Sequence, residues 1–99
     1  MNKLERIELY DKATKKWGMQ AQIDQMIEET AELIVALNKY KRNKYYLEKT
    51  DEQKMYDNLF VELADVSICL EQMVNYFGED KLEQAKQKQL QKFKTHLLK

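Results

Sequence analysis

The sequence predicts an all-α fold: a four-helix bundle with a central antiparallel helix pair, completed by oligomerisation. Three observations predict it. The 99 residues contain no proline and only two glycines, so few chain breakers are present to build a loop-rich or β architecture. Apolar residues recur three and four positions apart along most of the chain. The composition, 43% hydrophobic and 34% charged, is that of a folded chain. The length allows one domain, spanning residues 1–99.

The first helix is expected from Lys3 to Lys16, with Leu4, Ile7, Tyr10, Thr14 and Trp17 on one stripe and Gly18 as its break. The second is expected from Met19 to Arg42, with Ile23, Met26, Ile27, Leu33, Ile34, Leu37 and Tyr40. The polar and aromatic stretch Lys41 to Thr50, which includes Tyr45 and Tyr46, reads as the connection. Thr50 or Asp51 suits the N-cap of a third helix ending at Phe77, where Gly78 stops it. A last helix, from Glu79 to Leu98, carries a thinner stripe of Leu82, Ala85, Leu90, Phe93 and Leu97.

The third helix is apolar on two sides. Met55, Leu59, Leu63, Val66, Leu70, Met73, Val74 and Phe77 form one stripe, and Val61, Ala64 and Ile68 lie on a different face. A helix apolar on two faces is buried on two sides; in so short a chain the second side is expected to pack against another subunit, the alternative being cover from the first or last helix of the same chain.

Charge and apolar content narrow the function classes. Lys plus Arg and Asp plus Glu each count 17, so the chain lacks the basic surface of a protein that coats nucleic acid. No run approaches the roughly 18 apolar residues of a membrane span. The first dozen residues have no apolar core of a signal peptide. A single cysteine, Cys69, cannot form an internal disulfide, so a cytoplasmic protein is expected.

The chemistry concentrates in two acidic pairs. Glu29 and Glu32 lie three residues apart on the second helix, and Glu62 and Asp65 likewise on the third, so each pair shares one helix face. The first face also holds Gln22, Gln25 and Ala36, with Glu28 turned about 100° away. The second also holds Asn58, Cys69, Gln72 and Tyr76. In an antiparallel hairpin, Glu29 stands level with Asp65 and Glu32 with Glu62, because both pairs share a midpoint at position 47, inside the expected connection. Four carboxylates would then meet beside apolar stripes, where they repel unless a cation sits between them. An all-oxygen ligand set favours Mg²⁺, Mn²⁺ or Ca²⁺ over zinc or copper, and Mg²⁺ typically bridges to phosphates. A di-iron bundle would need Glu-x-x-His pairs, and the only histidine, His96, has Phe93 three residues before it.

The acidic motifs, EETAEL (Glu28 to Leu33) and ELADVSICLEQM (Glu62 to Met73), resemble those of the MazG-like all-α nucleoside triphosphate pyrophosphohydrolases. The likeness covers roughly Trp17 to Phe77. It implies a MazG-like bundle that hydrolyses a (deoxy)nucleoside triphosphate between its α and β phosphates, as a homodimer or tetramer. It implies Mg²⁺, or Mn²⁺, held by Glu29, Glu32, Glu62 and Asp65, with Glu28 or Glu32 accepting a proton from water. For the nucleotide, Trp17, Gln22, Gln25, Asn58, Gln72 and Tyr76 are expected to line the pocket. Lys88, among the lysines of the last helix, is expected to meet the phosphates. The alternative is a non-catalytic helical module of the same fold that senses a nucleotide or binds a partner protein.

Overall fold

The computed structural model describes residues 1–45 and 52–99. The described residues form four α-helices and no strand: α1 (Lys3–Trp17), α2 (Met19–Tyr45), α3 (Glu52–Phe77) and α4 (Glu79–Leu97). Asn2 caps α1, its side-chain oxygen accepting from the Glu5 amide at 2.9 Å. The breaks between α1 and α2 and between α3 and α4 fall on glycine. Gly18 has φ 86° and Gly78 φ 125°, a region that L side chains rarely adopt. Each still donates its amide to the last turn of the helix before it, to Thr14 and Val74 respectively.

Sequence and structure differ at the end of α2. α2 continues past the expected end at Arg42: Asn43 to Tyr45, expected in the connection, are helical. The extra turn is held from α3: the Tyr40 ring lies 6.3 Å from that of Tyr56, and Lys44 Nζ pairs with Glu52 at 3.3 Å. Asn43, in the same turn, is buried. The expected N-cap, Thr50 or Asp51, lies outside the described residues.

α2 and α3 pack as the central antiparallel pair. Gln22 meets Gln72, Tyr40 meets Tyr56 and Lys44 meets Glu52, all nearly symmetric about position 47 or 48. The line along which they meet is unexpectedly polar. The buried residues of α2 are Gln22, Ala36 and Asn43, and those of α3 are Leu59, Cys69 and Gln72. The apolar stripe of α3 was expected to form the core, but Leu63, Leu70 and Phe77 stay exposed. The helices are rotated so that their acid-bearing flanks face each other.

α1 is fastened to α3 by a charged cluster. Arg6 Nε lies 2.6 Å from Glu71 Oε1, and the Tyr10 hydroxyl donates to the same oxygen at 2.7 Å. These donors hold the Glu71 carboxyl below its ordinary value of 4.5, the Arg6 hydrogen bond being the largest cause. A depressed carboxyl contributes stability above the unfolded value and loses it as pH falls through the folded one. The docking of α1 is therefore expected to loosen below about pH 4.5, read as faster amide exchange in α1. In Glu71→Gln the exchange should be fast already at neutral pH and lack that acid step. An α1 that stays protected in this variant would show that the cluster does not hold it.

Lys3 and Glu79 join the start of α1 to the start of α4 at 2.7 Å. Beyond that start α4 leans on α3 alone, and none of its residues is buried. Among the described residues, no helix is long and apolar enough to cross a membrane.

Candidate metal centre and adjoining cavity

The antiparallel register brings the two acidic pairs together. Glu29, Glu32 and Glu62 each place a carboxylate oxygen within 4.8 Å of the others. Oxygens across a divalent cation at its usual ligand distances lie about 4–5 Å apart, so the three fit one ion with little movement. Glu32 is exposed, whereas Glu29 and Glu62 are half-buried. Glu29 Oε2 and Glu62 Oε2 are buried without a hydrogen-bond partner. Buried anionic oxygens are rarely left unpaired, and a cation satisfies both at once.

Asp65 stands beside this trio rather than in it. Burial, then the charge of Glu32, then that of Asp65, push the Glu29 carboxyl above its ordinary range. Glu28 is exposed and outside the trio, and it adds a smaller repulsion to Glu29. This agrees with its direction on the helical wheel.

One oxygen of Glu29 is held by a neighbour. Gln25 Nε2 donates to Glu29 Oε1 at 2.7 Å, one turn away on the same helix. The other Glu29 oxygen, Oε2, is the buried one without a partner. Partners of this kind commonly tune metal affinity by 10–100-fold. Gln25→Ala is accordingly expected to weaken Mg²⁺ binding by about 10-fold with little change in folding. Calorimetric titration with Mg²⁺ checks this, and an unchanged affinity would remove Gln25 from the site.

Next to the acids, α1, the first turns of α2 and the middle of α3 line an open-sided cavity of about 690 Å³. That is within the range of small-molecule sites. Trp17, Gln22, Gln25 and Gln72, four of the residues expected from sequence to bind substrate, line it. Gln72 donates to Gln22, whose own amide nitrogen reaches the Ala13 carbonyl at 3.5 Å, so this pair braces three helices. Trp17 is exposed at the rim, with Lys16 Nζ 5.3 Å from its ring centre.

The cavity wall also contains residues that sequence reasoning left aside: Leu9, Tyr10, Lys12 and Lys16 of α1, and Ile68. Lys12 and Lys16 place positive charge at its edge. The available signal was their position one turn apart beside the Tyr10–Trp17 stripe. Cys69 is buried in the wall, and burial together with the charges of Glu29 and Asp65 raises its thiol. It therefore stays protonated and is no nucleophile.

Three expected residues are placed elsewhere. Asn58 is exposed and does not line this cavity. Tyr76 is exposed and packs edge-on against Phe77 at 5.1 Å. Lys88 lies on exposed α4, along a shallow groove lined by that helix and Lys99. No family model, curated protein or solved structure matches the chain.

Proposed function

We propose that the chain is a Mg²⁺-dependent nucleotide pyrophosphohydrolase, also served by Mn²⁺, that cleaves a (deoxy)nucleoside triphosphate to the monophosphate and pyrophosphate. This is the activity that the resemblance to MazG-like enzymes implies. One observation supports it above the others: two buried, unpartnered carboxylate oxygens in a trio of acids, opening beside a cavity of nucleotide size.

Glu29, Glu32 and Glu62 would hold the cation, with Asp65 beside Glu29 completing the set. A bound divalent cation supplies charge neutralisation for the triphosphate and a fixed orientation for the bond to be broken. The chain's own groups supply the rest. Glu32 and Glu28 are the acids of this region open to solvent, so either can accept the proton of the attacking water. Trp17 offers a face for the base, and the Gln22–Gln72 pair sets the cavity floor. Lys12 and Lys16 offset the phosphate charge at the rim. Trp17→Ala is expected to raise KM by about 10-fold or more, the value of one base–aromatic stack, with a smaller effect on kcat.

The reading is tested by following Mg²⁺-dependent hydrolysis of a panel of nucleoside triphosphates by phosphorus NMR. Monophosphate and pyrophosphate from at least one nucleotide are expected. Diphosphate and inorganic phosphate would mean cleavage at the wrong bond. No turnover, with nucleotide still bound, would favour the non-catalytic module, for which the polar α2–α3 interface would serve only to sense the ligand.

A further inference from the structure

α4 is the least engaged helix of the chain. All its residues are exposed, and apart from the Lys3–Glu79 pair it packs on α3 alone. The attachment is at its start, where Glu79 and Leu82 share a groove with Ile7 of α1 and with Leu70 and Val74 of α3. From Lys86 onward, two hollows along the helix are lined only by its own residues and Lys99.

Two properties set this second half apart. The first is charge. The chain as a whole is neutral, and the acids of α4, Glu79, Asp80 and Glu83, all precede residue 84. From there to residue 99 the sequence has five lysines and no acid. The second is an apolar stripe. At 100° per residue, Leu90, Phe93 and Leu97 fall within about 60° of one another, and no charged residue beyond Lys86 shares their sector. Leu90 is 54% exposed, Phe93 65% and Leu97 67%. Lys94 flanks the stripe, and Lys88 and Lys92 lie on the opposite face.

We infer that the second half of α4 docks on the surface of an anionic lipid bilayer. Leu90, Phe93 and Leu97 enter the boundary between headgroups and acyl chains, and the lysines meet the negative headgroups. Interfacial helices combine these two features, lysines on the polar face and Leu or Phe on the other. Long lysine stems let the charge of Lys86 and Lys94 reach back to the headgroups beside the stripe. A nucleic acid would use the lysines but leave the stripe in water, and a second α4 would set like charge against like. The acids at the start of α4 are repelled by such a surface, so contact centres on the second half. A helix that buries nothing gains little stability by itself, and a surface that takes up its stripe steadies it. This is adsorption, not a span, for which no helix among the described residues is long and apolar enough.

Co-sedimentation of the full chain with lipid vesicles tests this. Vesicles of phosphatidylcholine mixed with phosphatidylglycerol should pellet the protein, and pure phosphatidylcholine vesicles should not. Added salt should release it. Lys92→Glu should weaken binding by about 10-fold or more, and Phe93→Ser by about 10-fold. Lys39→Glu, the same charge change at an exposed position of α2, should leave binding intact. All three positions are exposed, so circular dichroism should show each variant folded as the wild type is. No binding to the mixed vesicles would overturn the inference, and an oligonucleotide bound through Lys92 in that case would assign the helix to nucleic acid. A Phe93→Ser chain that binds as tightly as wild type would also overturn it, as would an equal loss in Lys39→Glu.

Discussion

Glu62→Gln is expected to raise the Tm of the metal-free protein and to remove its Mg²⁺-dependent turnover. The two effects have one origin. Glu62 and Glu29 each bury a carboxylate oxygen with no partner, and with Glu32 they lie within 4.8 Å. Without a cation, this arrangement leaves buried anionic oxygens unpaired; burial first, then the charges of Glu32 and Asp65, raise the Glu29 carboxyl. An amide at position 62 removes one charge and can donate to Glu29. In EDTA the variant should melt a few degrees higher than wild type. With Mg²⁺ the order should reverse, because only the wild type gains from binding. Turnover should fall by roughly 100-fold or more, since an amide is a poor ligand for a hard cation. A Tm lowered in EDTA would mean that a protein cation already compensates Glu62, and the site would then be a structural ion-pair network.

Ala36→Leu should produce the largest loss of stability among single substitutions on α2. Ala36 is 3% exposed, on the same helix face as Gln22 and Glu29. It stands nearly level with the buried Leu59 of α3. Three added carbons cannot fit where helices approach this closely, and overpacking typically costs about 1–3 kcal/mol. In a chain of this size that lowers Tm by roughly 5–20 °C. Forcing the helices apart one turn from Glu32 should also spread the acids and weaken Mg²⁺ binding. Ala31→Leu, at an exposed position of the same helix, should do neither. Circular dichroism melts in EDTA and in Mg²⁺ separate the two effects. An Ala36→Leu protein as stable as wild type would mean that the hairpin is not closely packed there.

The helices were legible in the sequence because their ends are chemical. Gly18 and Gly78 break the chain where positive φ is needed, and a glycine is visible in any sequence. The last residues of α2 were not legible, because Asn43 to Tyr45 sit in a stretch polar enough for a loop. Their helix is held by contacts from the far side of the hairpin. The meeting of Glu29, Glu32 and Glu62 follows from spacing plus one assumption, the antiparallel register. The orientation of α3 did not follow. A helical wheel shows which residues share a face, but not which face docks within the chain. Leu63 and Leu70 therefore read as inner core, whereas the structure turns Glu62 and Cys69 toward α2. The part of α1 in the cavity was hidden for a similar reason. It depends on Glu71 meeting Arg6 and Tyr10, more than 60 positions away, and no local pattern announces that contact.

The central proposal is a divalent-cation site formed by these acids beside the cavity. The most direct test is an anomalous difference map from crystals soaked in Mn²⁺. The account predicts a peak ligated by Glu29 Oε2 and Glu62 Oε2, with Glu32 or Asp65 as a further ligand. A map with no peak there, or carboxylates closed onto lysines of a neighbouring subunit, would contradict it.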